Sequence, residues 1–164
     1  MGAAVRIGVV SDTHGLLRPE VASALAGVEH ILHLGDIGKI SVLDELRRIA
    51  PVTAVRGNVD REGPCAELPA TEVVRFAGSY IYMLHDLETL RLDPAAARFA
   101  AVLSGHTHVP GFHTKQNVLY FNPGSCGPRR FQLPVTVGLL IADQDGGVKA
   151  EIVPLDLHPA SPSA

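Results

Sequence analysis

Cysteine, long apolar runs and blocks of like charge are all scarce in this chain, and each shortage excludes something. Cys65 and Cys126 are the only cysteines in 164 residues, too few for a disulfide framework and not a C-x-x-C pair. Crossing a bilayer takes about 18 consecutive apolar residues, and no such run is present. The N-terminus leads from Met1-Gly2-Ala3-Ala4-Val5-Arg6 into a short apolar run closed by Ser11-Asp12, without the pattern of a secretory leader. No Lys/Arg run is longer than Arg129-Arg130, and 14 basic against 17 acidic residues give a net charge of −3, which argues against a nucleic-acid partner. No internal repeat or linker divides the chain. The expectation is a cytoplasmic protein with no membrane partner, folded as one domain over residues 1–158. A disordered tail is expected at 159–164.

The abundant residue is histidine, with eight in the chain. Short apolar runs supply the frame in which the histidines sit. Val5–Val10 reads as a buried strand by its length and β-branching. Pro19–Ala26 reads as a helix with Gly27 as its stop, and His30–Leu34 as a second strand. A helix over Val42–Ile49 is expected with Ser41 as N-cap and Asp44 three residues on, followed by a strand at Val52–Arg56. Two strand–helix–strand units in succession predict parallel pairing. Beyond them, Glu72–Phe76 and Tyr80–His85 predict a hairpin, and Pro94–Ala100 a helix. Further strands are expected at Ala101–Ser104, Val118–Phe121, Val135–Ala142 and Val148–Val153, the last two joined by a turn at Asp143–Gly147.

Polar motifs follow these strands directly. Asp12-Thr13-His14 follows the first, Gly35-Asp36 the second and Gly57-Asn58 the third; His85 and Gly105-His106-Thr107-His108 close two later ones. Open α/β sheets build their sites at strand carboxyl ends, and neighbouring strands lie only ~4.8 Å apart. Seven oxygen or nitrogen donors and no thiolate exceed what one four-coordinate zinc can use, and Ca²⁺ does not favour so many imidazoles. Two ions sharing a carboxylate account for the number, with Mn²⁺, Fe²⁺ or Zn²⁺ all compatible. Gly35, Gly57 and Gly105 are read as positions of tight turn and close backbone approach. His30, His33 and His113 are read as ordinary histidines.

The series Asp12-x-His14, Gly35-Asp36, Gly57-Asn58, His85 and Gly105-His106-x-His108 resembles the calcineurin-like metallophosphoesterase superfamily, from Val9 to about Arg130. The short chain, Gly57-Asn58-Val59-Asp60 and Asn122-Pro123-Gly124-Ser125 resemble its compact bacterial and archaeal phosphodiesterase subgroup. The resemblance implies an α/β fold: a four-layer α/β/β/α sandwich of two mixed sheets flanked by helices, with a binuclear metal site at the strand ends. It assigns one ion to Asp12, His14, Asp36 and His108, and the other to Asp36, Asn58, His85 and His106. Mn²⁺ is the expected ion, with Fe²⁺, Zn²⁺, Ni²⁺ or Co²⁺ as alternatives. The implied activity is phosphodiester hydrolysis by a hydroxide shared between the ions, with Asp36, Asn58 and His85 acting through the metals and that water.

Two positions depart from the family pattern. Val59 stands where many members carry a histidine that protonates the leaving oxygen, which predicts a preference for diesters or activated leaving groups. Asp86 replaces a glycine, and either repels an anionic substrate or orients His85. Arg61, Arg129 and Arg130, with Asn58, are the candidate substrate-binding residues. Asn122 and Gly124 are read as the turn backing the His106/His108 loop, and Cys126 as a small core residue. With no large insertion to cap the site, a shallow open edge and a small phosphodiester substrate are expected. Two other readings stand beside this one: a docking module like the retromer subunit of this fold, and a phosphomonoesterase or nucleotide phosphatase. A homo-oligomer is left open.

Overall fold

A computed structural model describes residues 2–157; the tail expected at 159–164 lies outside them. The β-branched run Val5–Val10 forms β1, flanked in its sheet by β2 (His30–His33) on one side and β9 (Thr136–Ala142) on the other. The full order is β10 (Val148–Pro154), β9, β1, β2, β3 (Val52–Ala54). Pairing of β1 with β2 and of β2 with β3 is parallel, as the strand–helix–strand pattern requires, while β9 runs antiparallel to both β1 and β10. The second sheet has the order β4 (Thr71–Phe76), β5 (Ser79–Leu84), β6 (Ala101–Leu103), β8 (Val118–Asn122), β7 (Gly111–Lys115). Its central strands β5, β6 and β8 are parallel, with antiparallel edges. Both sheets are therefore mixed, and each points three parallel carboxyl ends toward one edge of the molecule.

Alternation along the strands decides what lies between the sheets. Ile7 and Val9 face Ile81, Met83, Leu103 and Phe121 in the inter-sheet core, all essentially buried. Val10 and Ile31 face the other way, against Val21 and Leu25 of the first helical segment and Val42, Leu43 and Leu46 of the second. On the outer face of the second sheet, Leu84, Val102 and Val118 pack under Leu90 and Ala95. Among the described residues no helix is long and apolar enough to cross a membrane.

Four local expectations are revised. Helix α1 spans only Glu20–Ala24. Helix α2 spans Ile40–Arg47 with extended Lys39 at its N-cap and no side-chain cap, so Ser41 lies inside the helix and does not cap it. Residues 94–100 form a single closed turn in place of a helix. Asp93 accepts from the Ala95 and Ala96 amides, and left-handed Arg98 (φ 63°) turns the chain back before β6. Strand β7, unforeseen, closes a hairpin with β8 through Gln116 and Asn117, both at positive φ (51° and 62°) as a two-residue primed turn requires.

Candidate metal centre

The chain end of β1 enters a left-handed turn at Asp12 (φ 57°) and again at His14 (φ 46°). The turn after β2 puts Asp36 in the same region (φ 55°), and the loop after β6 does so at His106 (φ 70°) and His108 (φ 64°). Non-glycine residues rarely adopt this conformation, at a cost of roughly 1–3 kcal/mol each. Five of the seven candidate ligands carry it, so the surrounding structure holds them against their local preference. Two glycines show how tightly. A Cβ on Gly57 would collide with Asp36 Oδ1 and its amide, and one on Gly105 would collide with Ser11 Oγ.

All seven predicted donors meet at this edge. Asp12, His14 and His108 form one group and Asp36, His85 and His106 another, the donor atoms within each lying within 4.8 Å of one another. Asp12 is fully buried; its Oδ2 accepts from the Ser11 hydroxyl (2.6 Å) and the His106 amide (3.0 Å). That leaves Oδ1 facing His108 Nε2 at 3.3 Å and His14 Nε2 at 3.8 Å. Asp36 Oδ1 accepts from the Val59 amide (3.0 Å), while Oδ2 lies 3.3 Å from His85 Nε2 and 3.7 Å from His14 Nε2, between the two groups. Asn58 Oδ1 completes the second group, 3.0 Å from His85 Nε2 and 3.1 Å from His106 Nδ1.

Protonation states follow from the partners. His85 Nδ1 donates to the Leu34 carbonyl (2.7 Å), which aims Nε2 at Asp36, Asn58 and, at 3.3 Å, His106 Nδ1. Burial alone would raise the Asp36 carboxyl, but hydrogen bonds from His85 and the Val59 amide hold it down at about 2. Burial likewise opposes the charged form of His85, yet Asp36 and Asp12 outweigh it and raise this imidazole above its ordinary value. Burial lowers His108, and Arg130 adds to the lowering against the pull of Asp12.

Do these residues fit metal ions? Among the described residues, the buried side-chain atoms without a hydrogen-bond partner are Asp12 Oδ1, His14 Nε2 and His108 Nδ1, all in the first group. Buried polar atoms are nearly always satisfied; the orphans Asp12 Oδ1 and His14 Nε2 face each other at 3.8 Å with His108 Nε2 3.3 Å from the former, which marks a place for a cation. Imidazole nitrogen with carboxylate and amide oxygen is the donor set of divalent transition ions. The residues fit.

Other predicted residues take distinct places. Arg61 donates to the Asn58 carbonyl (2.8 Å), and Arg129 to that of Leu133 (3.3 Å). Arg130 lines a cleft that also includes His106. Asn122 donates to the Gly105 carbonyl (3.0 Å) and Thr107 Oγ1 (3.1 Å) and accepts from the Gly124 amide (2.9 Å), so it does back the histidine loop. Cys126 is a fully buried core residue whose thiol is pushed up to about 12 by burial. Of the two roles suggested for Asp86, orienting His85 is not the one found: its Oδ2 lies 3.8 Å from His106 Nε2, and the second nitrogen of His85 is taken by Leu34.

Sequence reasoning missed Asp60. Its buried carboxylate accepts from the amides of Ile37 (3.1 Å), Gly38 (3.1 Å) and Gly57 (2.8 Å), tying the Asp36 turn to the Asn58 turn. The signal was present as the carboxylate closing Gly57-Asn58-Val59-Asp60. His33, fully buried, plays a similar part: it accepts the Gly35 amide (3.1 Å) and donates to Thr13 Oγ1 (2.9 Å), whose hydroxyl reaches the Ile37 carbonyl (3.0 Å).

Known proteins resemble this chain. A probable metallophosphoesterase of Methanothermobacter thermautotrophicus is 35% identical over 158 residues, covering 90% of this chain and 91% of its own. Two solved structures share the fold with a TM-score of 0.74 each. One, a novel archaeal phosphodiesterase, is 24% identical and covers 91% of this chain and 100% of its own. The other, Vacuolar Protein Sorting 29 from Cryptosporidium parvum, is 18% identical and covers 92% and 97%. The family model of the calcineurin-like phosphoesterase superfamily domain matches residues 5–145. On that match, and on the donors that converge at its strand ends, the chain belongs to the calcineurin-like phosphoesterase superfamily.

Proposed function

We propose that this protein is a phosphodiesterase that works with two divalent metal ions, Mn²⁺ being the expected pair. Asp12, His14, Asp36 and His108 hold one, and Asp36, Asn58, His85 and His106 the other. The observation that carries the reading is the convergence of seven donors around buried atoms left without a protein partner. When bound, the ions supply Lewis acidity toward the phosphoryl group and activation of water at neutral pH.

The chain's own residues do the rest. Ser11 and the His106 amide occupy one oxygen of Asp12 and turn the other inward. The Leu34 carbonyl fixes the tautomer of His85, and Asp60 locks the two turns that present Asp36 and Asn58. Arg130 brings positive charge to the His108 side, where an anionic phosphate needs it. Exposed Val59 offers no proton for the leaving oxygen, which favours diesters whose leaving group departs as a stable anion. The likeness to an archaeal phosphodiesterase supports the same class.

The test is metal content measured together with hydrolysis of bis(p-nitrophenyl) phosphate, before and after addition of Mn²⁺. About two ions per chain and turnover abolished in His108→Ala are expected. Turnover no higher than that of the variant would overturn the reading. Loss of metal binding along with it would favour a docking role for the same fold.

A further inference from the structure

Beside the metal edge, the β7–β8 hairpin and the turn at 130–133 line an open cleft of about 900 Å³ that also includes His106. Pockets of roughly 300–1,000 Å³ hold ligands of drug or nucleotide size, far more than a bare phosphate needs. Three features of the lining say what it takes.

It is lined by rings. Phe112 is half exposed above buried Phe121, and His113 lies parallel to Tyr120 with centroids 5.1 Å apart and planes within 4°. Phe131 is 88% exposed and left-handed (φ 54°), held by a turn in which the Leu133 amide donates to the Arg130 carbonyl (3.1 Å). A bulky ring held in water on a costly backbone conformation contributes nothing to the folded chain alone. Charge is distributed unevenly as well. Arg130 lines the cleft beside Asp86 and Glu88, so two carboxylates against one guanidinium disfavour a second phosphate there. The cleft thus suits the uncharged arm of a phosphodiester whose phosphate sits at the metals.

We propose that this cleft binds the nucleoside arm of a nucleotide phosphodiester, its base stacked against Phe131 and the β7–β8 rings. The proposal rests on the phosphodiesterase reading for the position of the phosphate. Stacking of a base on an aromatic side chain is tolerant of base identity, so the cleft selects for a planar ring and not for a sequence.

Two substrates with one leaving group separate the arms: thymidine 5′-(p-nitrophenyl phosphate) and methyl p-nitrophenyl phosphate. In each, water adds to phosphorus, the P–O bond to the aryl group breaks, and p-nitrophenolate leaves with thymidine 5′-monophosphate or methyl phosphate. We expect kcat/KM about tenfold or more in favour of the thymidine ester. Phe131→Gly, which relieves the left-handed strain and keeps the fold, should collapse that ratio toward one, and Phe131→Trp should restore it. Calorimetric binding of thymidine 5′-monophosphate and of methyl phosphate to the Mn²⁺-loaded protein gives a second readout, with the same preference expected.

Diester turnover with a ratio that Phe131→Gly leaves unchanged overturns the cleft assignment and leaves the phosphodiesterase reading standing. No turnover of either ester, with nucleotide binding that weakens in Phe131→Gly, supports the cleft and overturns the phosphodiesterase. Absence of turnover and of preferential binding overturns both.

Discussion

At the scale of single residues, the site is held by groups that never touch the ions. His33 is the sharpest case. Burial drives its imidazole from 6.5 down to about 3, and its two nitrogens are committed to the Gly35 amide and the Thr13 hydroxyl. Between those two pH values the unfolded chain binds a proton that the folded one refuses, so stability falls on acidification, by up to about 1.4 kcal/mol per pH unit from this residue. Denaturant unfolding of metal-free protein at pH 7, 6 and 5 should show the loss, and His33→Asn should flatten it. An equal slope in the variant would assign the pH dependence elsewhere. Asp60 carries the parallel load for the next two turns. Asp60→Ala leaves the amides of Ile37, Gly38 and Gly57 without their acceptor and should cost about 3 kcal/mol. Asp60→Asn, keeping one acceptor oxygen, should cost less, and the same unfolding curves distinguish them.

Elements place the donors, and here contact between turns matters more than either turn alone. Gly105 follows β6 with no room for a Cβ against Ser11 Oγ, the hydroxyl that occupies Asp12 Oδ2. Gly105→Ala should leave a folded protein, judged by circular dichroism, that binds fewer than two ions with turnover reduced by at least tenfold. Full occupancy in this variant would show that the Ser11–Asp12 contact is dispensable. The same scale shows what the sequence made legible. Strands β1, β2, β9 and β10 were readable because burial imprints β-branched, apolar runs of strand length, and the ligand motifs because each directly follows such a strand. Strand β7 was not readable: Gly111–Lys115 is almost wholly exposed, so no apolar alternation marks it, and its turn is Gln116-Asn117, lacking the glycine that signals a hairpin. The cleft went unseen with it. Pro94–Ala100 misled for the opposite reason, since its four alanines favour helix locally while Asp93 and Arg98 close the segment into one turn. Asp60 closes the Gly57–Asp60 motif but its role is not legible there, because a carboxylate that binds amides looks in sequence like any other.

For the whole molecule, the two sheets contribute to the site about equally. Asp12, His14, Asp36 and Asn58 follow strands of the first sheet, and His85, His106 and His108 follow strands of the second. Ions held across that seam should act as a clasp between layers. At free metal a hundredfold above Kd, each site adds about 2.7 kcal/mol, and two sites in a chain of this size should raise Tm by about 15 °C. Thermal unfolding with and without a chelator measures the difference, and an unchanged Tm would mean that the two sheets gain nothing from the ions. The strand order has a consequence for how the protein is made. In the first sheet β1 is seated between β2 and β9, whose residues lie at 30–33 and 136–142. A ribosome adds about 5–20 residues each second, so one flank of the earliest strand waits on the order of ten seconds for its neighbour to emerge. His108 joins Asp12 only in the later part of the same interval. Nascent chains therefore carry an open strand edge on β1 until β9 emerges to cover it.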